Sequence, residues 1–197
     1  AAKFYDTMDD DALLSFPMRA LMEDRSILFM WATSPRLDFA IRCVERWGLT
    51  YRGIAFVWVK TKLDGTPIGA QGVRPSVVKP TVEYVLCASP VAKGRPLKLH
   101  DESIPNTIFA PRGEHSEKPV EAQARIERMY PAASKLELFA RGRRDGWNAW
   151  GNQVDEGPAS LPRGHGSKDM ERVREALAGA KPRAAGADRQ PSLFGME

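Results

Sequence analysis

Polar side chains suited to binding a small molecule follow one short apolar segment in the second half of the chain. Residues 136–140 read Leu-Glu-Leu-Phe-Ala, which is typical of a strand, and an arginine-rich turn comes directly after them. The amide side chains of Asn152 and Gln153 lie a few residues further on. Because open α/β sheets hold their ligands just beyond the carboxyl ends of strands, this stretch predicts a ligand site.

A second polar cluster, His100-Asp101-Glu102, contains groups that bind metals or transfer protons. Zinc sites combine several ligands at short, characteristic spacings, and no second histidine lies at such a spacing from His100. Cys43 and Cys87 give neither a disulfide framework nor a metal spacing, which favours a reducing cytosol. We therefore expect no bound metal and a cytoplasmic location.

The elements that must position these groups are apolar strands alternating with amphipathic helices. Strand-length apolar runs occupy residues 27–32, 54–59, 82–88 and 136–140. Ser34 and Pro35 begin a helix after the first run, and Gly48 ends it before the second. Strand, helix and strand at this spacing predict a right-handed crossover and a parallel sheet. A further helix is predicted from Pro119 to Pro131.

Residues 61–80 interrupt this periodicity with glycines, prolines and basic side chains. The basic residues are Lys62, Arg74 and Lys79, and the whole chain has a formal net charge of +4. Loops of this length are uncommon unless they are functional or disordered. Basic side chains here would contact phosphates and so position a nucleic acid, while the alternative is a solvated loop without a partner.

Composition divides the chain into two parts. Residues 1–154 have the apolar content of one domain, with the basic insertion loop at about 61–80. Residues 155–197 are rich in glycine, proline, alanine and arginine, and they cannot bury enough apolar surface to fold alone. One short helix is predicted in this tail, beginning at Ser167.

Six motifs follow one another along the chain: Tyr5-Asp6-Thr7-Met8, Leu28-Phe29-Met30-Trp31, Phe56-Val57-Trp58-Val59-Lys60-Thr61, Lys118-Pro119, Leu136-Glu137-Leu138-Phe139-Ala140-Arg141 and Trp150-Gly151-Asn152-Gln153. In this order they resemble the adenine methyltransferases related to the catalytic subunit of the eukaryotic mRNA 6-methyladenine writer. That family has prokaryotic and phage members that act on DNA. The resemblance covers residues 4 to 154.

The resemblance implies a fold, a cofactor and a reaction. The fold is α/β and Rossmann-like, with a mostly parallel sheet and helices on both faces. The cofactor is S-adenosyl-L-methionine, and the reaction methylates the exocyclic amine of adenine in DNA. A target base in a duplex must leave its stack to reach such a site, so base flipping or a single-stranded substrate is implied.

Particular residues acquire roles from the same resemblance. Lys118 would meet the cofactor's carboxylate, Glu137 would accept a hydrogen bond from ribose or ammonium, and Tyr5 would lie beside the methyl-transfer centre. The cofactor-binding residues implied are Lys118, Glu137, Leu138, Phe139, Arg141, Arg144, Asn152 and Gln153. The alternatives are surface charge for the basic residues, core packing for Leu138 and packing on the sheet edge for Tyr5. Arg143 departs from the pattern, since relatives can carry histidine there.

The family's Asp-Pro-Pro-Trp tetrad does not occur in this sequence. Methylating the adenine amine requires acceptors for its hydrogens and in-line placement against the sulfonium methyl, which the tetrad supplies. In family order the tetrad precedes Tyr5, and the chain opens on Ala1, so we expect it upstream of residue 1. The alternatives are a catalytically silent nucleic-acid-binding paralogue or partner subunit, and the same chemistry on RNA.

The carboxyl-terminal tail contains Gln190-Pro191-Ser192-Leu193-Phe194. This segment resembles the short peptide by which bacterial DNA-processing proteins dock on the replication sliding clamp. Apolar side chains in a polar tail need a partner to be buried, so Gln190, Leu193 and Phe194 are predicted to bind the clamp. No apolar run approaches the ~20 residues of a membrane span, and we expect no membrane partner.

Overall fold

The computed structural model describes residues 8–69, 78–113, 117–151 and 153–154, together with Glu175, Ala176 and Ala178, which are helical. These last three residues fall within the tail segment for which a helix is predicted, and Ser167 lies outside the described residues. The elements in chain order are α1 (Asp10–Leu14), α2 (Met18–Leu21), β1 (Leu28–Thr33), α3 (Leu37–Arg46), β2 (Thr50–Thr61), β3 (Val82–Ser89), β4 (Thr107–Pro111), α4 (Glu121–Met129), β5 (Leu136–Leu138) and β6 (Asn148–Trp150). The α/β class is confirmed.

Four strands form the main sheet in the order β1-β3-β2-β4. β3 is antiparallel to both of its neighbours, and β2 pairs in parallel with β4. β1 and β2 therefore run in the same direction, as the predicted crossover requires, but β3 lies between them. The prediction of a mostly parallel sheet is corrected to a mixed sheet. A strand buried on both faces is apolar throughout, so its composition does not reveal the direction of its neighbours.

Helices pack on both faces of this sheet, as predicted. Alternate residues of β1 point to opposite sides: Leu28 and Met30 pack in the core that contains α3, while Phe29 and Trp31 pack in the core that contains α4. The side chains that α3 buries are Phe39, Ala40, Cys43 and Val44.

Helix boundaries differ from the predicted ones by two or three residues. α3 begins at Leu37, because Ser34–Arg36 form a 3-10 turn, and Gly48 follows its end at a φ of 71°. α4 begins at Glu121 rather than at Pro119.

β5 and β6 form a separate two-stranded parallel sheet. Leu136, Leu138 and Trp150 attach it to the core on the α3 face. The strand predicted over 136–140 ends at Leu138, because Phe139 has a φ of 57° and turns the chain away. Within the described residues, no helix combines the length and the apolarity that crossing a membrane would require.

Candidate functional site

β1, β2 and β4 run in the same direction, and β3 runs opposite to them. The carboxyl ends of β1, β2 and β4 therefore meet the start of β3 at one edge of the main sheet, which we call the carboxyl edge. The segment that leads into α4 follows β4 at this same edge. Lys118 lies on that segment, and Glu83 is the second residue of β3. The fold therefore brings two charged groups from distant parts of the sequence to one place.

Lys60, Glu83 and Lys118 form what we call the Lys–Glu–Lys cluster. Lys60 Nζ lies 2.7 Å from Glu83 Oε1, and Lys118 Nζ lies 2.6 Å from Glu83 Oε2. Each ammonium group also lies near an indole: Lys60 Nζ is 5.2 Å from the centre of the Trp58 ring, and Lys118 Nζ is 5.7 Å from that of Trp31. The two indoles meet edge to face with their centroids 6.1 Å apart.

Electrostatics keep the buried carboxylate of this cluster charged. Glu83 is only 8% exposed. Burial by itself raises the pKa of Glu83, but the hydrogen bonds from Lys118 and Lys60 outweigh it, and the pKa is lowered overall. The three groups together carry one positive charge, which suits an anionic ligand group.

Glu137 on β5 contacts α4, the helix that follows Lys118. Gln123 Nε2, in the first turn of α4, donates to Glu137 Oε2 at 2.9 Å. Burial raises the pKa of Glu137, and the hydrogen bond from Gln123 and the charge of Arg144 oppose that shift. Lys118 and Glu137 therefore both adjoin the amino-terminal half of α4, although their predicted contacts with a cofactor stay predictions.

Arg144 makes a two-point contact with α4. Its Nε and Nη2 donate to the two carboxylate oxygens of Glu127 at 2.6 and 2.9 Å, and Trp147 Nε1 donates to Glu127 Oε1 at 2.7 Å. The hydrogen bond from Arg144 is the main reason why the pKa of Glu127 falls to about 2. This contact fixes the arginine-rich turn to α4, and the role of Arg144 towards a cofactor stays a prediction.

Phe139 and Leu138 differ in exposure. Phe139 is 44% exposed, and its ring lies 5.6 Å from that of Phe16 and 5.4 Å from that of Trp150. Leu138 is half-buried against the core on the α3 face, which favours the packing role left open for it. Arg141 Nε donates to Gln153 Oε1 at 2.9 Å, so these two predicted residues contact each other.

Several predicted residues lie outside the part of the chain that the structure describes. They are Tyr5, Arg74, Asn152, Gln190, Leu193 and Phe194. Lys62 and Lys79 lie at the two ends of the basic loop, where Lys62 is exposed and Lys79 is half-buried. Within the described residues no group of three His, Cys, Asp or Glu side chains could hold a metal ion.

Sequence patterns alone do not identify Lys60, Glu83 or Gln123 as residues of the site. A signal existed for Glu83, since an acidic residue inside the apolar run 82–88 needs a buried partner. No comparable signal identified Lys60 or Gln123, because charged and amide side chains at a strand end or in a first helical turn are common on surfaces.

Comparison with known proteins agrees with this architecture. Charged side chains gathered at the carboxyl edge of an α/β sheet are typical of ligand-binding and enzyme domains. A family model described as MT-A70 matches residues 2–153. The chain therefore belongs to the MT-A70 family.

Similar proteins come from bacteria, plants and animals. The chain is 32% identical over 159 residues to the type II methyltransferase M.MunI of Mycoplasma sp, and the match covers 80% of this chain and 63% of that protein. It is 32% identical over 154 residues to an N(6)-adenosine-methyltransferase MT-A70-like protein of Arabidopsis thaliana, covering 77% and 21% of the two chains. For the N(6)-adenosine-methyltransferase catalytic subunit of Homo sapiens, the identity is 29% over 153 residues, covering 77% and 25%. The chain thus spans less than two thirds of each of these relatives.

Proposed function

We propose that this chain belongs to an S-adenosyl-L-methionine-dependent methyltransferase that methylates the exocyclic amine of adenine in DNA. Membership of the MT-A70 family and similarity to a bacterial type II methyltransferase support this proposal. The observation that carries it is that Lys118 lies just before α4 at the carboxyl edge of the main sheet, while Gln123 in the first turn of α4 donates to Glu137.

The groups present suit the chemistry of the methyl donor. S-adenosyl-L-methionine would supply an activated methyl group on a sulfonium. Lys118 would bind its carboxylate, Glu137 would accept a hydrogen bond from its ammonium or ribose, and the half-exposed ring of Phe139 would pack against its apolar parts. Arg141, Arg144, Asn152 and Gln153 complete the proposed set.

Calorimetry with S-adenosyl-L-methionine tests the cofactor assignment. Lys118→Ala removes a charge-assisted hydrogen bond worth about 1.5–3 kcal/mol, which should raise the Kd by about 10- to 150-fold. Lys93→Ala is the matched control, because Lys93 is an exposed lysine beyond the opposite end of β3. If Lys118→Ala changes the Kd no more than Lys93→Ala does, Lys118 does not bind the cofactor. A catalytically silent paralogue would bind nucleic acid and take up no cofactor.

RNA is the second candidate substrate, and the names of the plant and human relatives, which are adenosine methyltransferases, favour it. Methyl transfer to DNA and RNA oligonucleotides of matched sequence distinguishes the two. We expect the DNA strand to be the better acceptor with the full-length protein. Transfer confined to RNA would refute the DNA assignment while leaving the methyltransferase assignment intact.

The basic loop is proposed to contact the nucleic-acid backbone. Lys62 and Lys79 occur beside exposed apolar side chains, since Leu63 is 95% and Val78 75% exposed. Replacing both lysines with alanine should weaken binding to DNA of any sequence. The negative slope of log K against log salt should become shallower by about 1–2. An unchanged slope would indicate a solvated loop. Arg74 is assigned to the same contact as a basic residue of the loop, and Tyr5 is assigned to the substrate side on the family resemblance.

Docking on a replication sliding clamp is proposed for Gln190, Leu193 and Phe194. A synthetic peptide of residues 187–197 should bind purified clamp, and replacing Leu193 and Phe194 with alanine should abolish that binding. A peptide with the same residues in scrambled order controls for charge. Equal binding of the scrambled peptide would reject the motif.

A further inference from the structure

Lys60 has no role in the proposed site, yet it is the more deeply buried lysine of the Lys–Glu–Lys cluster. Its side chain is 17% exposed, against 31% for Lys118 and 10% for Glu83. The cluster therefore has an inner cation, a buried carboxylate and an outer cation. Lys118 is the member that a ligand reaches first.

A carboxylate buried beside one lysine would lose its only counter-ion whenever that lysine turned to another anion, and an unpaired buried charge is strongly unfavourable. Here Lys60 stays 2.7 Å from one oxygen of Glu83, while Lys118 contacts the other oxygen. Lys118 can therefore share its charge with a ligand without leaving Glu83 unpaired.

Contacts from three strands hold the cluster in place. Glu83 on β3 binds both ammonium groups, Trp31 on β1 lies against Lys118, and Trp58 on β2 lies against Lys60. The Trp58 indole is itself fixed, since its Nε1 donates to the carbonyl oxygen of Ala110 on β4 at 2.9 Å. The position of the outer ammonium group thus depends on Glu83 and its surroundings.

We propose that Glu83 is a positioning residue that holds Lys118 towards the carboxylate of the methyl donor, and that Lys60 is its permanent counter-ion. The inference rests on the proposed function, which makes Lys118 a ligand of that carboxylate. Without the negative charge of Glu83, Lys60 and Lys118 would repel each other, because both now lie within 2.7 Å of one carboxylate. The outer lysine, Lys118, would then move away into solvent.

Two ligands that differ in the amino-acid end isolate this effect. S-adenosylhomocysteine has the carboxylate, and 5′-methylthioadenosine lacks it. Glu83→Gln in the full chain should raise the Kd for S-adenosylhomocysteine about tenfold, which is the effect of one charge-assisted hydrogen bond. The Kd for 5′-methylthioadenosine should change by no more than about twofold. A loss that is equal for both ligands indicates general damage to the fold and overturns the proposal.

A measurement without ligand separates this inference from the proposed function. The acylation rate of Lys118 by N-hydroxysuccinimidyl acetate, mapped by mass spectrometry, should rise in Glu83→Gln, with Lys93 as internal control. Lys60→Met is the second variant, in case Glu83→Gln does not fold. This variant leaves Lys118 as the main partner of Glu83 and so ties Lys118 more firmly to it. The acylation rate of Lys118 should therefore fall, and the Kd for S-adenosylhomocysteine should rise.

The outcomes are distinguishable. If the wild-type protein binds neither ligand but Lys118 is acylated faster in Glu83→Gln, the proposed function fails and Glu83 still positions Lys118. If the wild type binds S-adenosylhomocysteine and Glu83→Gln binds it equally or more tightly, Glu83 does not position Lys118 for the ligand. An unchanged acylation rate of Lys118 overturns the inference by itself.

Discussion

Gly151→Ala probes the closest backbone approach in the candidate site. A Cβ built on Gly151 would lie 2.4 Å from the carbonyl oxygen of Ala140, 2.6 Å from its nitrogen and 2.9 Å from the carbonyl carbon of Phe139. Real Cβ contacts are essentially never shorter than 3.0 Å, so the backbone at residues 139–140 must withdraw by about 0.6 Å or more. The neighbours are backbone atoms and cannot turn aside as a side chain could.

The expected cost has two parts. Overpacking of this kind costs about 1–3 kcal/mol. The withdrawal also weakens the hydrogen bond from Ala140 N to Trp150 O, now 2.9 Å long, which is worth about 1 kcal/mol. A loss of about 2–4 kcal/mol in the free energy of unfolding corresponds to a fall of roughly 5–15 °C in Tm for a chain of this size. Phe139 and Arg141 flank the displaced residue, so binding of the methyl donor should weaken as well.

The assay is thermal unfolding together with calorimetric titration of S-adenosyl-L-methionine. Gly142→Ala is the matched control, because a Cβ at Gly142 meets no atom within 4 Å and its backbone is not in the left-handed region. We expect the control to melt within about 2 °C of the wild type, as surface substitutions do. Should Gly151→Ala melt and bind as Gly142→Ala does, the close approach of the two backbone segments would be refuted.

Glu127, Cys87 and Ser89 are paired or buried groups whose environment can be tested one at a time. Glu127→Gln should lower Tm at pH 6, and the difference from wild type should shrink by pH 3. The reason is that the folded protein lowers the pKa of Glu127 to about 2, so the charged carboxylate stabilises the fold above its unfolded pKa and this stability is lost as the pH falls. Melting curves at both pH values check this, and a constant difference would contradict it. Cys87 should react with iodoacetamide at pH 8 about 100-fold more slowly than a free cysteine, since burial raises the pKa of its thiol to about 11. In urea we expect Cys87 to react at the rate of a free cysteine. The same rate without urea would show that the thiol is accessible in the folded protein. Ser89→Ala should lower the free energy of unfolding in urea by about 1–3 kcal/mol, because the buried Ser89 Oγ donates to Ser26 O at 2.7 Å and accepts from Val91 N. A loss near zero would mean that these backbone groups find other partners.

Local patterns were sufficient to predict the strands β1, β2, β3 and β5, the helices α3 and α4, and the family, but they did not predict α2 or β6. β1, β2 and β3 lie where apolar runs occur, since burial on both faces requires continuous apolar sequence. Gly48 ends α3 as predicted, because its φ of 71° suits a residue without a side chain. The six motifs predicted the family, which the match over residues 2–153 confirms.

The order and direction of the strands were not predictable from those patterns. The apolar run of β3 reads like those of β1 and β2, yet β3 runs antiparallel between them. Strand pairing is decided by which edges meet when the chain closes on itself, and composition carries little information about that step. The mixed sheet is therefore a property of the tertiary structure.

The sequence by itself determined what chemistry each side chain of the site can do, because side-chain type sets charge and hydrogen-bonding capacity. Only the tertiary structure decided which of these groups act on one another. Lys118 contacts Glu83 across 35 positions of the chain, and Arg144 contacts Glu127 across 17. Such contacts arise because strands, helices and turns that are distant in sequence pack together in the folded chain, where the buried carboxylate of Glu83 must find a cation to remain charged.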